Sequence, residues 1–135
     1  MKTAALALLL VTACDPTWNA RYGWEESGES IPPDTQAIYA AAHALAPCAI
    51  EPWGGWVDWR SQPFDCAGVQ ASGCFIGSLD LSAHLIITNW PLDRPIEGPL
   101  AHELGHYVHA RCSGDYSEAA ASDFALKVRA YISGL

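Results

Sequence analysis

The chain has 135 residues, half of them apolar and 16% charged, enough for one packed domain and hardly for two. Fifteen acidic against seven basic residues give a net charge of −8, and no basic cluster appears. That balance argues against binding nucleic acid through its phosphates; it suits solubility or a cationic partner.

The opening stretch, MKTAALALLLVTAC, sets one Lys before a run of Ala and Leu of secretory length, too short to span a bilayer stably. The run closes on Val11-Thr12-Ala13-Cys14, which resembles a bacterial lipobox. The resemblance implies that residues 1–13 are a lipoprotein signal peptide. Cys14 would then carry a diacylglycerol chain, and the protein would be exported and anchored to the membrane at the cell envelope. A plain signal peptide leaving a free Cys is the alternative. Export puts Cys48, Cys66, Cys74 and Cys112 in an oxidising compartment. Four cysteines without C-x-x-C spacing suit two disulfides better than a zinc knot. Three pairings are possible. Cys66 with Cys74 closes a short loop and leaves Cys48 for Cys112, and this pairing is preferred.

Residues 15–33 mix Pro, Gly, Ser and acids with no apolar period. With Cys14 they read as a tether, 14–33, ahead of a domain at 34–135. Trp18, Tyr22 and Trp24 are unusual in a tether and can dock onto the domain. Asp34 is placed to cap a helix over TQAIYAAAHALA, whose stripe is Ile38, Ala41, Ala42 and Leu45 and whose end is Pro47. His43 lies off that stripe, at the surface or partly packed.

Residues 49–88 predict strands: GGWVDW, GCFIGS and, most clearly, SLDLSAHLIIT. In the last, Leu79, Leu81, Ala83, Leu85 and Ile87 alternate with Asp80, Ser82, His84 and Thr88. His84 falls on the polar face, at the surface or in a cleft. Trp53, Trp56 and Trp59 either fill the core or form a carbohydrate-stacking platform. The loop NWPLDRPIEGP leads into a second helix, LAHELGHYVHAR, with Pro99 at its first position and Gly114 as its left-handed stop. A third helix follows, from about Tyr116 to Ile132. A monomer is expected.

The second helix carries His102, Glu103 and His106 as H-E-x-x-H. Residues four apart share a helix face, so both imidazoles can reach one tetrahedral zinc. Glu103 lies about 100° round from His102 and reaches a water instead of the metal. It is then placed to act as base and afterwards as acid.

HELGH on a helix after an alternating strand resembles zincin metallopeptidases. The resemblance implies an α+β fold with an N-terminal helix, a short twisted sheet, the H-E-x-x-H helix and a C-terminal helix. It further implies one Zn2+ and a peptide or protein substrate extended along the strand near residues 80–88. The metzincin pattern wants Gly at 109 and His at 112, where this chain has His109 and Cys112. His109 also stands about 10 Å along the axis from His102, too far to share a metal.

The stretch SEAAASDFA resembles the second helix of gluzincins, including compact ImmA/IrrE-type peptidases. That implies Glu118 as third ligand beside His102 and His106. A typical member has Asn or Asp four residues later, where this chain has Ser122 followed by Asp123.

The residues themselves leave competitors. Asp115-Tyr116-Ser117-Glu118 fits a capping box, with Asp115 as N-cap, and Asp115 or, further behind, Cys112 can ligate. Against capping, the stripe of Ala121, Ala125, Val128 and Ile132 faces the core and Glu118 continues it towards the neighbouring helix. An oxyanion stabiliser is expected among Tyr116, Tyr107 and His109, unranked.

Two readings compete with the enzyme: a catalytically inactive zincin-scaffold lipoprotein binding peptide or glycan, and a metal-free envelope structural protein. Intact His102, Glu103 and His106 favour the enzyme. For the anchor, the cellular protein is expected to partition into detergent and carry a diacylglycerol mass at its N-terminus. Cys14→Ser should abolish both, as read by phase separation and mass spectrometry.

Overall fold

The computed structural model describes residues 19–28, 31–32, 35–77, 83–88 and 97–134. The signal peptide, Cys14, Trp18, Asp34 and the stretch from 78 to 82 lie outside the described residues.

The elements run β1 (Asn19–Arg21), β2 (Trp24–Gly28), α1 (Gln36–Leu45), β3 (Gly55–Arg60), β4 (Phe64–Cys66), β5 (Val69–Ala71), β6 (Gly73–Gly77), β7 (Ala83–Thr88), α2 (Glu97–Ser113) and α3 (Glu118–Ile132). One sheet has the order β1-β2-β3-β7-β6, and β4-β5 is a separate hairpin. β2, β3 and β7 run parallel to one another, while β1 and β6 are antiparallel to their neighbours. Three helices with a small mixed sheet, among the described residues, make an α+β arrangement. Among the described residues no helix is long and apolar enough to cross a membrane.

The predicted alternation explains the packing. Val57 and Trp59 of β3 and Leu85 and Ile87 of β7 are buried in one core with Ile38, Tyr39, Ala41 and Ala42 of α1. α2 adds Leu100, Leu104, Tyr107 and Val108, and α3 adds Phe124, Ala125 and Val128. The three tryptophans part company. Trp59 is in the core, Trp53 is half-buried with its Nε1 donating to the Tyr22 carbonyl at 3.0 Å, and Trp56 is exposed. They do not form one platform.

The expected tether is partly sheet. β2 is an interior strand between β1 and β3, and Trp24 and Glu26 are wholly buried. The folded unit therefore starts at least as early as Asn19, not at 34. Polarity misled the reading because the burial of Glu26 is compensated by partners distant in sequence. Its carboxylate accepts from Tyr39 OH at 2.7 Å, from Thr35 Oγ1 at 2.9 Å and from Trp59 Nε1 at 2.9 Å. It also pairs with Arg21 Nε at 3.1 Å. A buried carboxylate persists only when so satisfied. Burial first, and then the Glu26 charge, raise the Tyr39 hydroxyl above its ordinary pKa, so it remains a donor.

The same contact sets how α1 starts. Thr35 is its N-cap, yet the hydroxyl goes to Glu26 and makes no cap bond. Two disulfides, Cys48–Cys112 and Cys66–Cys74, follow the preferred pairing. The first spans 64 residues and ties the end of α1 to the end of α2, a closure contributing on the order of 4 kcal/mol. Gly114 ends α2 with φ +68°, its N–H donating to the Ala110 carbonyl at 3.2 Å.

Glu26→Ala would remove the acceptor of the Trp59 and Tyr39 donors and the carboxylate that Arg21 pairs with. The expected loss is about 3–5 kcal/mol of unfolding free energy, measured by denaturant titration. A loss under about 1 kcal/mol, typical of a surface pair, would show that the carboxylate is not a structural centre.

Candidate metal centre

The site begins with a glycine. A Cβ at Gly105 of α2 would stand 2.9 Å from Ala121 Cα and 3.1 Å from Phe124 Cβ of α3. No side chain fits there without moving a helix. Because Gly105 and Ala121 are both small, the helices close up. Glu118, the first residue of α3, is thereby set opposite one face of α2. Its Oε2 lies 2.8 Å from His102 Nε2 and its Oε1 lies 3.1 Å from His106 Nε2.

His102, His106 and Glu118 form a group whose ligand-capable atoms all lie within 4.8 Å of one another. Such a group can hold a metal ion. Asp115 is not part of it: its Oδ1 accepts from the Ser117 N–H at 2.9 Å. Ser117 is the actual N-cap of α3, with its Oγ accepting from Ala120 N–H at 3.2 Å. The capping box centred on Asp115 and Glu118 does not form, so the Glu118 carboxylate is left to the imidazoles. Cys112 is held in its disulfide.

Glu118 is also more open than its stripe suggests, with a side chain 79% exposed against 24% for His102 and 10% for His106. Ala121, Ala125 and Val128 of that stripe are buried and Ile132 is exposed. The stripe leaves the core at both ends of the helix, and Glu118 sits at the cleft mouth.

Charge is divided sharply within the group. Burial lowers the His106 pKa, although the nearby Glu118 carboxylate pulls the other way, so the ring favours its neutral, lone-pair form. Desolvation pushes Glu118 up, but hydrogen bonds and charge from the two imidazoles outweigh it and hold the group low, as a carboxylate. Two imidazoles and one carboxylate, with solvent on the open side, fit a divalent cation that keeps one position for a further ligand.

Ser122 Oγ stands 3.5 Å from His102 Nδ1, occupying the place where the resemblance expects Asn or Asp. Asp123 instead pairs with Lys127 at 3.1 Å.

Glu103 stays outside the ligand group yet beside it, and it is buried. Gly73 of β6 lies over it; a Cβ there would be 2.8 Å from Glu103 Oε1. Burial, and secondarily the Glu118 charge, push the Glu103 carboxyl up to about 8. A positive charge in the adjoining group opposes that shift.

These residues line a cleft of about 780 Å³ walled by β6, the β4–β5 hairpin, the first turn of α2, and Glu118 and Arg129 of α3. Phe75 of β6 lies nearly parallel to the His106 ring, 6.3 Å between centroids.

Comparison with protein-family models, with curated proteins and with solved structures returns no match. What the site can do follows from its own geometry.

Of the three expected oxyanion stabilisers, only Tyr116 lines the cleft. Tyr107 is buried elsewhere, its hydroxyl accepting from Gly54 N–H at 3.1 Å and donating to the Pro52 carbonyl at 3.3 Å. His109 packs edge-on against Phe124 and is not part of the lining. The strand expected to hold an extended chain is also displaced. β7 is bonded to β3 on one side and to β6 on the other, so β6 is the edge of the described sheet. His84 is paired within β7, opposite Trp56 and Ile76, and its side chain lies outside the described set.

Sequence reasoning passed over Gly73, Phe75 and Arg129. Only Arg129 had a legible signal: it follows Glu118 by eleven residues and shares its helix face.

Metal binding separates the acidic candidates. Glu118→Ala should weaken divalent-ion affinity by more than about a hundredfold, above what loss of an outer-shell contact costs. Ser122→Ala should cost about tenfold, and Asp115→Ala little. Competition with a chelating dye reads all three; loss confined to Asp115→Ala would reverse the assignment.

Proposed function

We propose that the chain is an exported, lipid-anchored zinc metallopeptidase that hydrolyses peptide bonds. The observation carrying this reading is the position of Glu103: buried in the cleft wall, next to the His102–His106–Glu118 group and excluded from it. A binding protein has no use for a desolvated carboxylate there, whereas hydrolysis needs a base close to the metal without ligating it.

Zinc, when bound by His102, His106 and Glu118, supplies Lewis acidity that polarises a carbonyl and makes water more acidic. The remaining roles belong to side chains. Glu103 takes a proton from the attacking water on a carboxylate oxygen and returns it to the leaving amine. Its raised pKa favours the protonated form, and a positive charge in the adjoining group would lower that pKa and favour the carboxylate that can accept the proton. Tyr116 is the remaining candidate donor to a developing oxyanion, since it borders the cleft. An extended peptide is supported along β6, the edge of the described sheet, directly above Glu103.

Two disulfides fit an oxidising, exported environment. Attachment to the membrane belongs to the proposal through Cys14 alone. The substrate is a peptide or protein outside the cytoplasm, and the protein acts as a monomer.

Glu103→Gln keeps the shape and removes the base. The expected variant retains about one zinc per chain and loses at least about a hundredfold in hydrolysis of a quenched peptide library. Unchanged hydrolysis by the zinc-loaded variant would overturn the mechanism.

A further inference from the structure

We propose that Arg129 is a specificity-determining residue, holding a carboxylate of the substrate about three residues from the cleaved bond. This rests on the peptidase reading and adds to it a substrate class: peptides bearing a negative charge at a set distance.

Position supports it first. Eleven residues make about three full turns, so Arg129 falls on the helix face of Glu118 and Ser122, about 16 Å further along α3. Helical side chains lean towards the N-terminus, and the long arm carries the guanidinium back over the preceding turn. The head group then lies roughly 10 Å from the ligand group, close to three residues of extended chain at about 3.3 Å each. Arg129 lines the same continuous cleft as His102, Glu103 and Glu118.

Charge supports it independently. Among the described lining residues Arg129 is the sole side chain with a permanent positive charge, in a chain whose net charge is −8. It pairs with no carboxylate among the described residues, whereas Lys127, two positions earlier, pairs with Asp123 at 3.1 Å. An exposed guanidinium at the end of a cleft presents a planar fork that matches a carboxylate with two parallel hydrogen bonds.

A plainer role exists. Arg129 lies in the last turn of α3, where a cation complements the helix dipole. That role depends on sign alone and is indifferent to what occupies the cleft, so the test must read peptide charge. The carboxylate can come from an Asp or Glu side chain or from a free C-terminus.

The full chain carrying Glu103→Gln, loaded with zinc, binds without turnover. The probes are fluorescein-labelled alanine-based octapeptides in matched pairs: one internal Asp against Asn, and C-terminal acid against amide. Binding is read by anisotropy. The charged member of one pair should bind about five- to tenfold tighter, and the pair that responds identifies the source of the carboxylate. Arg129→Gln should abolish the ratio, Arg129→Lys should keep part of it, and Arg129→Glu should turn preference towards a Lys-bearing octapeptide. Zinc content should stay unchanged in all three, and the thermal midpoint should fall only slightly in Arg129→Gln and Arg129→Glu, through the lost helix-dipole contact.

Equal binding of both members of each pair, or a ratio that survives Arg129→Gln, overturns the inference, as does the absence of any peptide binding. The peptidase reading fails separately: zinc-loaded wild type that cleaves no peptide, yet shows the Arg129-dependent ratio, refutes hydrolysis and leaves the carboxylate contact standing.

Discussion

The close approach of α2 and α3 at Gly105 and Ala121 is the constraint on which the site depends. Two helices normally stand 8–10 Å apart, set by the side chains at their contact. Here one partner has no side chain and the other has a methyl group, so the backbones meet. His102 and His106 flank Gly105 on α2, and Glu118 opens α3 one turn before Ala121. A bulkier residue at either contact would push α3 outward and draw the carboxylate away from both imidazoles. The short link between the helices works in the same direction. Gly114 stops α2, Asp115 accepts the Ser117 N–H and Ser117 caps α3, so Glu118 enters with a defined register.

Burial then gives two glutamates one helical packing apart opposite characters. Glu103 lies beneath Gly73 with little access to water, and its carboxyl titrates well above the ordinary range. Glu118 stands at the cleft mouth between two imidazoles and remains a carboxylate. A carboxylate that ligates a cation must be ionised, and a group that moves protons works best with a pKa near the working pH. The difference arises from position alone, since the side chains are identical.

The sheet fixes the other wall. Its interior is organised by Glu26, whose carboxylate ties β1 and β2 to α1 and β3. At the opposite edge, β6 carries Gly73 over Glu103 and Phe75 beside His106. The Cys66–Cys74 disulfide staples the β4–β5 hairpin to that edge and makes it a standing wall of the cleft. Stabilisation at one end of the sheet and geometry at the other are thus separate, with β3 and β7 between them.

The sequence alone determined the local facts. Periodicity located α1, α3 and β7, because a face that packs against a core repeats at the helical or strand period, and Pro99 and Gly114 bracketed α2. The i, i+4 spacing put His102 and His106 on one face, and the short loop between Cys66 and Cys74 favoured, among three possible pairings, the one found. What only the tertiary structure decided is everything requiring two distant segments at once. A polar segment at residues 19–28 became sheet because Arg21, Thr35, Tyr39 and Trp59 converge on Glu26, which no local window contains. Glu118 was separated from Asp115 by which residue caps α3 and by which carboxylate faces His102 and His106 across the helix pair. β6 rather than β7 became the edge, and Tyr107 turned to Pro52 and Gly54 instead of the cleft, because strand order and side-chain direction depend on how the chain closes on itself. Spacing fixes neighbours along an element; only packing fixes neighbours across the core.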